Sequence, residues 1–104
     1  MLEVAAAHGV SVALYVIPLN PRADNPYVPA EYAAFKSWLD ALAQRHAVPF
    51  ANLEEVVPAA EWGLLAGEPD YKHFRGSGHR RTADALVQRF GPFIRARAEL
   101  RRTQ

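Results

Sequence analysis

Asp70 and His73 are the residues whose types and spacing can do chemistry in this chain. A carboxylate three residues before a histidine, on a tight turn just before a helix, can reach the imidazole Nδ1–H. That contact fixes the tautomer, stabilises the imidazolium and leaves Nε2 as a general base. A base poised near neutral pH contributes roughly 10²–10⁴-fold by proton transfer. The pair sits in Asp70-Tyr-Lys-His73-Phe-Arg-Gly-Ser-Gly78-His79. Taken by spacing alone, the pattern also fits a surface turn whose Asp caps a helix.

Other polar residues have weaker claims. Asn20 follows the first predicted strand, where it can hydrogen-bond a substrate or simply form a turn beside two prolines. His79 can touch substrate or support the loop, or it can be a helix-start histidine with an exposed edge. His8 and His46 fall at predicted helix ends, where contact with the dipole accounts for them. Asp70, His73 and His79 match no familiar zinc spacing, so neither a metal nor a cofactor is expected. The chain has no cysteine, which removes thiolate ligands, disulfides and a cysteine nucleophile. Its serines are expected to be structural: Ser11 within a buried strand, Ser37 within a helix, and Ser77 as an N-cap.

These candidates must be positioned by a small set of elements. Leu2–His8 reads as the last two turns of a helix closed by Gly9. Val10–Ile17 is a nearly continuous apolar run, the pattern of a strand buried on both faces. Pro18, Pro21, Pro26 and Pro29 mark a loop, and Pro29 suits the first turn of a helix running to His46. Tyr32, Phe35, Leu39 and Leu42 recur on that helix, with Trp38 beside them. Val48–Leu53 is a second strand, Ala59–Leu65 a helical turn, and residues 67–78 a polar loop. A C-terminal amphipathic helix through Ala83, Leu86, Val87, Phe90 and Ile94 is expected to kink or divide at Gly91-Pro92. Trp38, Trp62, Phe50, Phe74 and Phe90 are the default core candidates.

Alternating helices and strands with long connections indicate an α/β fold with a parallel sheet. Two strands are too few for such a sheet. The 104 residues therefore read as one partial domain, its remaining strands expected from another segment, another subunit or an N-terminal portion. The exposed side of the first strand is expected to drive self-association.

Composition excludes several function classes. Half the residues are hydrophobic and 22% are charged, which is ordinary for a globular protein. Residues 1–70 carry three basic and nine acidic side chains, and residues 71–104 nine basic and two acidic. The C-terminal arginines suit a solvated helix face and the negative end of a helix dipole. No aromatics interleave with them, so no nucleic-acid partner is expected. No stretch approaches the roughly 20 apolar residues of a membrane span. Residues 1–8 carry Glu3 and no basic residue, so they do not read as a signal peptide.

Asp70-x-x-His73-Phe74, then Gly78-His79, placed after a β-α-β unit and before an amphipathic helix, resembles the closing motif of the SGNH (GDSL-type) hydrolase family. The resemblance covers about Val10 to Ile94. It implies a three-layer, flavodoxin-like parallel sheet, of which this chain supplies the C-terminal β-α-β-α portion. It also implies that Asp70 and His73 are the Asp and His of a Ser-His-Asp triad, with Gly78 as the small residue opening the last helix. Ile17-Pro-Leu-Asn-Pro21, with Tyr32 and Phe35 on the next helix, looks more like the O-acyltransferase branches, such as teichoic-acid D-alanyl transfer proteins and polysaccharide O-acetyltransferases. The implied substrate is an acyl ester of a small molecule, lipid or polysaccharide. The family's Gly-Asp-Ser-like block and its oxyanion Gly and Asn blocks have no counterpart here. Two functions follow as expectations: the acid–base part of a serine esterase or O-acyltransferase, or an inactive remnant or interaction domain lacking the nucleophile.

Overall fold

The computed structural model describes residues 1–24 and 26–103, with Leu65, Tyr71 and Lys72 described by backbone only. Helix α1 (Leu2–Ala7) ends as its spacing predicts: Gly9 N–H donates to Ala6 O and Val10 N–H to Ala5 O. Strand β1 (Leu14–Val16) follows, then α2 (Pro29–Arg45), with Pro29 in its first turn. His46 caps α2, and Val48 N–H donates back to Ala43 O across Ala47, whose φ is +53°. Strand β2 (Phe50–Asn52) pairs with β1 in parallel, Tyr15 opposite Ala51. The ladder reaches past both strands, because Leu53 N–H donates to Val16 O and Leu19 N–H to Glu54 O.

The chain is thus a mixed α/β fold with one small parallel sheet. Beside it lies an antiparallel hairpin that the sequence does not announce. A single 3₁₀ turn (Ala59–Glu61) leads into β3 (Trp62–Leu65), and β4 (Glu68–Phe74) returns against it. Residues 59–65 are therefore one short turn plus a strand, and most of 67–78 is strand rather than loop. Ala66 (φ +53°) and Gly67 (φ +84°) form the two-residue connection, the geometry of a type I′ turn. Alanine is poorly suited to its position, so Ala66→Asn is expected to stabilise the protein by about 0.5–1 kcal/mol. Chemical denaturation checks this; a lower midpoint would contradict the turn.

Helix α3 (Gly76–Thr103) runs through Pro92 without division. The residue before this proline is Gly91, which has no Cβ to clash with the ring. Gln88, whose carbonyl loses its donor, and Pro92 are both exposed residues. Ser77 lies inside the first turn, because His79 N–H already donates to Arg75 O; it is not the N-cap.

The core is small. Ala51, Leu53 and Phe90 form its centre, with Ala13, Val56, Ala85 and Leu86 packed around them. Trp62 is also buried, its Nε1–H donating to Val57 O at 3.0 Å. Trp38, expected in the core, is 54% exposed, as are large parts of Tyr15, Ile17 and Phe35. Tyr15, Ile17 and Phe35 line the groove between β1 and α2, so the two-sided burial predicted for Val10–Ile17 is not met by these 104 residues. A radius of gyration of 16.3 Å exceeds the ~13 Å of a self-contained domain this long.

Candidate functional site

The carboxyl ends of β1 and β2 form one rim of the molecule, the place where open α/β sheets gather their working groups. Asn20 lies there, just past Leu19 at the end of the extended ladder. The Asp70–His73 segment approaches from the hairpin. Trp62 is opposite Phe74 and Leu64 opposite Pro69, so Gly63 alone faces the four residues 70–73. This wide bulge creates the dyad. In a regular strand, residues i and i+3 point to opposite faces about 10 Å apart. In the bulge, His73 Nδ1 lies 2.7 Å from Asp70 Oδ2. With Asp70 ionised the carboxylate only accepts, which assigns the bonded proton to Nδ1 and, in the neutral ring, the lone pair to Nε2.

The two side chains have opposite exposures. Asp70 is 5% exposed and the His73 ring 69%, so the carboxylate is buried while the imidazole is open to solvent. Nε2 has no hydrogen-bond partner among the described residues. The bulge is tight from below: a Cβ on Gly63 would stand 3.3 Å from His73 O. Gly63 is thus a site-supporting residue that periodicity alone does not reveal. An isolated glycine between large apolar residues is a signal of close backbone approach, but only once that segment is recognised as a strand.

The remaining candidates sort by contact. Asn20 is buried, and its Nδ2–H donates to Asp70 O at 2.9 Å across fifty positions of sequence. Its Oδ1 accepts from Arg22 N–H at 3.0 Å. Both ends of the carboxamide are therefore engaged within the protein. His79 is exposed in the first turn of α3 and meets the Phe74 ring edge-on, with centroids 4.4 Å apart. Phe74 in turn stands edge-on to Trp62. His8 and His46 sit at helix ends as expected, and the His8 ring bonds Val4 O.

None of the three serines hydrogen-bonds His73: Ser11 precedes β1 at the opposite end of the strands, Ser37 is in α2 and Ser77 in α3. Among the described residues no cluster of three His, Asp or Glu side chains could hold a metal ion, and no helix is long and apolar enough to cross a membrane. Near the same rim, a groove of about 610 Å³ runs between β1 and α2, lined by Tyr15, Ile17, Tyr27, Tyr32, Phe35 and Leu39 among others. Tyr27 and Tyr32 stack at 4.8 Å, and Lys36, paired with Glu54, lies over the Tyr32 ring. Burial, followed by the nearby Glu54 and Tyr27, raises the Tyr32 hydroxyl above the usual tyrosine range.

No protein-family model, no curated protein and no solved structure matches the chain.

Proposed function

We propose that this chain is the acid–base portion of an SGNH-type serine esterase or O-acyltransferase. In this reading His73 is the general base, Asp70 orients it, and the nucleophilic serine comes from outside the 104 residues. The observation that carries the proposal is the 2.7 Å contact between a buried carboxylate and an exposed imidazole. Two features support it. The dyad lies at the carboxyl-end rim of a parallel strand pair, and β1 keeps an open edge, where further strands of a three-layer sheet, or a second copy, would add. In the reaction, His73 Nε2 takes the serine proton as the hydroxyl attacks the acyl carbonyl. The resulting imidazolium, held by Asp70, then gives that proton to the departing alcohol.

A fluorophosphonate probe, which labels activated serines, tests this on the native protein isolated through an antibody to residues 1–104. The expected result is a labelled serine in the same polypeptide or in a tightly bound partner, with labelling at least 100-fold slower in His73→Ala. Equal labelling of the two proteins, or none in a folded preparation, would overturn the proposal and leave the interaction-domain reading.

A further inference from the structure

We infer that Asn20 is a positioning residue for the dyad: its buried carboxamide fixes the bulge at Asp70 and thereby sets the approach of the carboxylate to His73 Nδ1. The inference deepens the hydrolase reading and rests on it for its catalytic meaning.

The bulge is the part of the hairpin where the ladder gives least guidance. Register pairs hold it at Phe74 on one side and Pro69 on the other, and none is described between them. The dyad nonetheless needs the Asp70 backbone in one place, because its short side chain has little reach to spare over a 2.7 Å contact. The Asn20 Nδ2–H donates to Asp70 O at 2.9 Å, and both residues are 5% exposed. A buried hydrogen bond of this kind is directional, and breaking it is costlier than breaking an exposed one.

Asn20 is itself held rigidly. Its Oδ1 accepts from Arg22 N–H, its own carbonyl accepts from Ala23 N–H, and the preceding Leu19 N–H donates to Glu54 O past the end of β2. The loop after the first parallel strand is thereby tied to the hairpin at the bulge through the Asn20 side chain. Asparagine suits both duties, since this position needs an acceptor for Arg22 and a donor for Asp70 on one short stem. Aspartate lacks the donor, and serine has one oxygen for both tasks. With one donor and one acceptor of this buried amide engaged inside the protein, Asn20 acts through Asp70.

The test reads the imidazole directly and needs no nucleophile. Long-range ¹H–¹⁵N correlation spectra of the native protein, labelled with ¹⁵N-histidine, report which His73 nitrogen carries the proton. In the native chain the neutral ring is expected to be predominantly Nδ1–H. In Asn20→Asp, which keeps the acceptor for Arg22 and loses the donor, it is expected to shift to predominantly Nε2–H, while the His8 and His46 rings stay unchanged. An unaltered His73 tautomer in a folded Asn20→Asp chain would overturn the inference. Should that variant not fold, the native protein decides: slow exchange of the Asn20 Nδ2 protons and scalar coupling across the hydrogen bond to the Asp70 carbonyl are required, and fast exchange without coupling overturns it. A tautomer shift in a protein that forms no acyl-enzyme would instead remove the hydrolase reading and leave the positioning role.

Discussion

If the chain is the acid–base portion of a serine hydrolase, as proposed, Asp70→Asn is expected to lower kcat/KM of that enzyme by roughly 10³–10⁴-fold while leaving the protein folded. The magnitude is the one that follows when the orienting carboxylate of a Ser-His-Asp protease is replaced by its amide. The cause is the tautomer. Asp70 Oδ2 stands 2.7 Å from His73 Nδ1 and accepts a hydrogen bond from it, so in the proposed reaction Nε2 is left with the lone pair that takes the serine proton. A side-chain amide turned to donate at that site would make Nδ1 the acceptor, placing the ring proton on Nε2 where the base is needed. The amide also removes the negative charge that stabilises the imidazolium once the proton has moved. Because the substitution is isosteric, the unfolding midpoint should shift far less than the rate. Esterase kinetics on the serine-bearing protein check the first effect and thermal denaturation the second. A loss of less than tenfold would mean that Asp70 only caps the bulge.

How far this arrangement is legible in the sequence depends on which interaction fixes each element. Helix α2 is read nearly to the residue, since Pro29 opens it and a turn at Ala47 closes it, and both are local devices. The strand in Val10–Ile17 is read correctly in type but too long: only Leu14–Val16 meets a partner, and Tyr15 and Ile17 stay exposed in the groove between β1 and α2. Apolar patterning shows that a surface is to be covered, not what covers it. The hairpin is missed because its turn is Ala66-Gly67 and not Asn-Gly, and because Pro69, Asp70 and Lys72 are poor strand formers. For the site, Asp70 and His73 are legible as a pair, although the expected tight turn is a bulge within a strand. The contact of Asn20 with Asp70 spans fifty residues, and no local pattern encodes it. Gly63 becomes meaningful only opposite the bulge. Of the kink or division expected at Gly91-Pro92, the division does not occur, and Gly91 before the proline has no Cβ to clash with the ring.

Gly78→Val is expected to destabilise the protein by about 3 kcal/mol or more, a large share of the stability of a small domain. Gly78 lies in the first turn of α3 where the helix passes against the end of β4. A Cβ there would stand 2.7 Å from Phe74 Cβ and 3.0 Å from Glu61 O. Neither obstacle is the free end of a flexible side chain. The Glu61 carbonyl is held by Arg75 N–H at 2.7 Å, its carboxylate is held by Arg81 Nε–H, and the Phe74 ring is wedged between Trp62 and His79. Relief must therefore come from moving α3 or the hairpin as a body. Gly78→Ala should cost less, about 1–2 kcal/mol, because alanine regains nearly 1 kcal/mol of helix propensity. Phe74 directly follows His73, so any displacement that accommodates the new side chain also moves the base. Chemical denaturation gives the stability change. Under the proposed function, Gly78→Ala kept well below its melting temperature should still lose rate in the serine-bearing protein, because a displacement of about 1 Å at a catalytic group can cost 10²-fold. Wild-type stability in Gly78→Val would show that α3 does not pack against β4 as described.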